Sequence, residues 1–168
     1  MLLLSFFRVF ADGEEVGSVN DLFQLARPNT TLQILLRVAR DTIESNHECF
    51  YNALDRLDIE RPEHLHKLSR VTFELFGDGV TNWGRVATLL SFCALVARHL
   101  KNLGMDDSIF MMADGIARFL TVTKRYWFLE NRGWDGFVAV YSVRWLQIRV
   151  GLLTMAWILG CRAGLGRN

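Results

Sequence analysis

The chain predicts an all-α protein, a helical bundle built around one central apolar helix. Three observations predict it. Only two prolines interrupt 168 residues, and long stretches repeat their apolar positions at the helical period, against a many-turned β architecture. Apolar residues make up 51% of the chain, enough for one domain of this length to bury about two-thirds of its unfolded surface. The run from Val86 to Ala97 is almost free of charge and apolar on every face, which marks a helix enclosed all round. At about a dozen residues this run is short of the ~20 that a membrane span needs.

The elements follow in order. In "MLLLSFFRVFADGEE", Leu3, Phe6, Phe7 and Phe10 share one face, so a short first helix is expected. A signal peptide is not, because the stretch lacks a positive start, Arg8 interrupts it and no small-residue cleavage pattern follows. Asp12 to Asn20, with Gly13 and Gly17, reads as a loop, and Asp21 to Arg27 as a weak helical turn stopped by Pro28. Thr30 and Gln33 have capping-box spacing and open a helix striped by Leu32, Leu35, Leu36, Ala39 and Ile43. Phe50, Ala53, Leu54 and Leu57 continue the pattern.

Pro62 suits a first helical position, and Leu65, Leu68, Val71, Thr72, Leu75 and Phe76 line one side of the helix that follows until Gly77 and Gly79 end it. Asn82 or Thr81 can cap the central helix, which closes at Gly104, a left-handed C′ position. From Asp106 a helix is expected to reach Glu130, with Ile109, Met112, Ala113, Ile116, Phe119, Leu120 and Thr123 inward. Gly133 breaks it, and "WDGFVAVY" makes a short helix.

Val150 to Cys161 is apolar and flanked by Arg144, Arg149, Arg162 and Arg167. Its length suits a helix packed on the bundle, whereas snorkelling arginines would stretch it into a membrane tail from Trp145 to about Leu165. The chain thus divides into a short N-terminal helix region (1–27), the bundle (28–143) and an apolar tail that is a candidate membrane anchor (144–168).

Composition excludes several functions. A net charge of +1 leaves no electrostatic footprint for nucleic acid. Cys49, Cys93 and Cys161 are odd in number and far apart in apolar or helical settings, which suits buried thiols in a reducing compartment. His64 and His66 are two apart and point to nearly opposite faces of a helix, so no metal is expected. Gly79 and Gly84 have phosphate-loop spacing, but Arg85 and Val86 stand where Lys and Ser/Thr are required, and a helix rather than a strand precedes them. No paired carboxylates and no nucleophile–base set accompany them, so neither an enzyme nor a cofactor is expected.

Arg85 is the residue that asks for an explanation. It places a full positive charge in the first turn of the most apolar helix, where the helix already carries partial positive charge. A guanidinium presents a planar fork that takes a carboxylate bidentately and tolerates partial burial. Gly84 beside it lets a partner's backbone come close, and Asn82 offers a nearby amide. The carboxylate can belong to a partner or to the chain itself, with Asp78 the nearest candidate.

These residues also carry a resemblance. "DGVTNWGRVATLLSFCALVARHLK" closely resembles the first homology segment of the B-cell-lymphoma (Bcl) family of apoptosis regulators. "TKRYWFLENRGWDGFVAVY", centred on Trp134-Asp135-Gly136-Phe137, resembles its second, and "LLRVARDTIESNHE", with Leu36 and Asp41, its third. The likeness spans about Leu32 to Tyr141; the fourth segment is not recognisable in the first ~27 residues, and Arg40 stands before Asp41 where the family has a small residue.

The resemblance implies a Bcl-like bundle with a hydrophobic surface groove that takes an amphipathic helix from a pro-apoptotic family member. By that likeness Arg85 pairs with the partner's aspartate, Asn82 hydrogen-bonds nearby, and His47, Leu57, Val71, Thr72, Leu75, Thr88, Leu89 and Phe92 line the groove. It implies an anti-apoptotic regulator that sequesters death-motif helices and Bax-like and Bak-like effectors and restrains mitochondrial outer-membrane permeabilisation. Its location would be that membrane, facing the cytoplasm, with a cytoplasmic pool. The alternative is a Bax-like pore-forming effector that exposes its own third segment, against which Arg40 argues, since most groove-bound helices cross closely at that point.

Overall fold

In a computed structural model, residues 2–13 and 30–143 are described; the expected loop and turn before Pro28 and the apolar tail lie outside them. The described residues form helices and no strand, arranged around the central helix α5, Trp83–Asn102. The others are α1 (Leu2–Ala11), α2 (Thr30–Ser45), α3 (His47–Leu57), α4 (Leu68–Phe76), α6 (Asp106–Arg118), α7 (Arg125–Glu130) and α8 (Gly133–Val143).

Every residue of α5 from Val86 to Ala97 is buried, because α1, α2, α3, α4 and α6 all pack against it. The first helix contributes Phe6 and Phe7, both fully enclosed, to the same core. Arg98 of α5 fixes it from the side: the guanidinium lies 4.6 Å above the Phe10 ring and donates to the Phe10 carbonyl. In α2, Leu35, Leu36, Ala39 and Ile43 face the core, so the apolar face of this helix is folded inward.

Helix ends follow their local chemistry. Gly104 has φ +71, and the Met105 and Gly104 amides donate to the Leu100 and Lys101 carbonyls at 2.9 Å, a Schellman closure of α5. Asn46 separates α2 from α3, its side-chain amide donating to the Thr42 carbonyl.

Three expectations need correction. The segment from Pro62 begins as a 3₁₀-helix, Pro62–Lys67, and becomes α-helical only at Leu68. The expected continuous helix from Asp106 to Glu130 is interrupted by a π turn, Phe119–Thr123, where the Lys124 amide reaches back five residues to the Phe119 carbonyl. Thr123 is exposed as a result. Among the cysteines, Cys93 is a free thiol, pushed up to about 12 by complete burial, but Cys49 is not free; Cys161 lies outside the described residues.

Candidate partner-binding groove

The site is assembled at the start of α5. Asn82 has extended backbone angles, and its Oδ1 accepts from the Arg85 backbone N–H at 2.9 Å, which makes it the helix cap. The cap occupies the amide oxygen and leaves the Nδ2 hydrogens of this exposed residue for other acceptors. Gly84 is exposed, and a Cβ there would stand 3.2 Å from Asn82 Oδ1, so the missing side chain also makes room for the cap.

The cation of Arg85 is compensated within the chain. Its Nη1 meets Asp78 Oδ1 at 2.5 Å, its Nη2 meets Asp78 Oδ2 at 2.7 Å, and Nη1 also donates to the Val80 carbonyl at 2.9 Å. Asp78 is held in turn by the Val80 backbone N–H at 2.9 Å. The Arg85 hydrogen bonds, then that of Val80, hold the Asp78 carboxyl at about 2, and Asp78 raises the Arg85 pKa above its ordinary value. Only 14% of the Arg85 side chain is exposed, against 53% of Asp78, so the pair sits at the surface with the cation on the protein side.

The other candidate residues fall in four different settings. Leu57 and Val71 come together with Ala53 in the wall of a slot of about 120 Å³ between α3 and α4, rimmed by Arg56, Arg70 and Glu74. His47 is exposed and stacks on Tyr51 with ring centroids 4.3 Å apart. Thr72 is half-buried, its hydroxyl donating to the Ser69 carbonyl. Leu75, Thr88, Leu89 and Phe92 lie in the core: Thr88 donates to the Gly84 carbonyl, and the Phe92 ring meets Phe50 edge-on at 5.7 Å.

Sequence reading missed the Val80 carbonyl as a third tie on Arg85, and the role of the tryptophan motifs. Trp83, one residue after the cap, is buried against Trp127, Phe128 and Phe137, and the Tyr141 hydroxyl donates to its carbonyl. The Arg37 guanidinium of α2 donates to the Tyr141 carbonyl at 2.8 Å, joining the third segment to α8. Asp41, partly buried, has its pKa raised by burial, with nearby Arg37 opposing. The signal for the aromatic cluster was present in the spacing of tryptophans around two glycine motifs, but nothing local showed that the motifs meet.

The described residues thus form an all-α bundle closed on one apolar helix, with an arginine fork at that helix's start. Residues 35–134 match the family described as apoptosis regulator proteins, Bcl-2 family. The chain belongs to that family: it is an apoptosis regulator and not an enzyme. Apoptosis regulator R11 of Xenopus laevis is 30% identical over 136 residues, covering 77% of this chain and 66% of that protein. Anti-apoptotic protein NR13 of Gallus gallus is 26% identical over 139 residues, covering 83% of this chain and 78% of that protein. Bcl-2-like protein 1 of Homo sapiens is 30% identical over 116 residues, 68% of this chain, which spans about half (49%) of that relative's length.

Proposed function

We propose that this chain is an anti-apoptotic regulator that captures the amphipathic death-motif helix of pro-apoptotic relatives, including Bax-like and Bak-like effectors, and so restrains outer-membrane permeabilisation. The observation that carries the reading is Arg85, a cation held by Asp78 at the start of α5, against which both α3 and α4, the walls of the slot, are packed. A helix laid over that slot would bury apolar anchors and present an acid to the fork. The names of relatives such as anti-apoptotic protein NR13 support the survival direction. We also propose a likeness of the first homology segment, "DGVTNWGRVATLLSFCALVARHLK", to that of the myeloid cell leukaemia survival protein.

Because Leu75, Leu89 and Phe92 are enclosed, a full groove requires α3 and α4 to part, with those side chains becoming its floor. The tail, 144–168, would attach the chain to the mitochondrial outer membrane with its bundle facing the cytoplasm, alongside a cytoplasmic pool; its deletion should leave peptide binding intact and abolish co-fractionation with membranes. No described helix is long and apolar enough to cross a membrane.

A titration of the chain with death-motif peptides, beside a liposome-permeabilisation assay of the chain alone, tests the function. Tight peptide binding with intact liposomes is expected. Permeabilisation by the chain itself would show the pore-forming effector instead. Arg85→Ala should weaken peptide binding by ~2–5 kcal/mol, while fold stability changes by less than about 1 kcal/mol, since the pair it breaks is near the surface.

A further inference from the structure

Asp78 occupies only one side of the Arg85 fork. A guanidinium has five N–H donors in one plane. Asp78 takes one from Nη1 and one from Nη2, and the Val80 carbonyl takes the second from Nη1. The two that remain, Nε–H and the outer Nη2–H, are parallel on the other edge of the plane, and the described residues place no acceptor on them. That edge has the spacing of a carboxylate.

We propose that Asp78 is a positioning residue for partner recognition: it clamps the Nη end of Arg85 so that the Nε–Nη2 edge is preset for the partner's acid, giving a carboxylate–guanidinium–carboxylate arrangement in the complex. The inference rests on the groove reading above and adds to it which edge is used and what holds it. Asp78 is itself fixed by the Val80 N–H at 2.9 Å, and the same residue's carbonyl closes the clamp, so the turn 78–80 sets the guanidinium plane before any partner arrives. An arginine side chain ordered in advance loses less freedom on binding. Against this stands repulsion between two carboxylates sharing one cation, which solvent screens at the half-exposed Asp78. The opposite arrangement, in which Asp78 is a competitor that a partner must displace, predicts the opposite sign.

The test is a cycle on the full chain: wild type and Asp78→Asn, each titrated with a death-motif peptide carrying its aspartate and with the same peptide carrying asparagine there. Positioning predicts that Asp78→Asn weakens the aspartate peptide by about two- to tenfold and leaves the asparagine peptide nearly unchanged. The Arg85 Nε–H resonance should shift when the wild type binds the aspartate peptide and not when it binds the asparagine one. Tighter binding by Asp78→Asn overturns the inference in favour of competition. Equal loss for both peptides, or a lowered melting temperature that accounts for the loss, overturns it in favour of a structural role. If the wild type binds neither peptide, the groove reading has failed and this inference with it; if the wild type binds and the variant is not weakened, only this inference has.

Discussion

Gly136 lies against Trp83: a Cβ on Gly136 would stand 3.3 Å from Trp83 Cζ2, and only 1.8 Å from the Asn131 carbonyl oxygen. Two motifs about fifty positions apart in the chain, one at the start of α5 and one in α8, are therefore parts of a single packing arrangement, in which the Trp83 indole meets Phe137 at 5.6 Å and Trp127 at 4.8 Å. Gly136→Ala forces backbone as well as side chains to move. It should lower stability by about 3 kcal/mol or more, read from urea denaturation, and an unchanged midpoint would show that the α7–α8 turn relaxes freely.

Phe92 was a candidate groove residue, and its burial against Phe50 gives its substitution a different first effect. Phe92→Ala should destabilise the fold by about 3–5 kcal/mol, a loss visible in thermal melting without any peptide present. Leu57→Ala, in the slot wall, offers the comparison: its effect on peptide affinity should exceed that of Phe92→Ala when both are measured per folded molecule.

Asn82 has a structural duty that its exposed position conceals. Asn82→Ala removes the acceptor for the Arg85 N–H and should cost about 1 kcal/mol of stability. Asn82→Asp keeps that acceptor and should retain most of it. Chemical denaturation of the two variants side by side separates capping from any contact with a partner.

The Asp78–Arg85 pair makes a pH prediction of definite sign. Asp78 is depressed to about 2 in the folded chain, below its unfolded value near ~4. Its contribution to stability is therefore present above the unfolded pKa and lost as pH falls through about 2. The carboxyl ¹³C resonance of Asp78 should titrate with a midpoint near that folded value, and Arg85→Ala should return the midpoint to the ordinary carboxylate range. A wild-type midpoint already in that range would show the pair is not formed in solution.

The sequence by itself determined what depends on neighbours a few positions apart. Apolar residues at the helical period marked α1, α2, α3 and α5, and the side chain of Asn82 and the left-handed Gly104 marked where α5 begins and ends, because capping and periodicity are local. The homology segments were legible through resemblance to a known family, and the arginine that needed a carboxylate was legible from its place in the first turn of a helix. Tertiary structure alone decided which carboxylate Arg85 takes in the folded chain, since turn 78–80 has to bring Asp78 and the Val80 carbonyl to one side of the guanidinium. It alone placed Leu57 and Val71, buried in the same core, along the slot wall and Leu89 and Phe92 away from it, all of which read identically as members of an apolar stripe. Periodicity says that a face is covered; it does not say whether the cover is a fixed helix of the same bundle or a gap between two, because burial is set by elements distant in the chain.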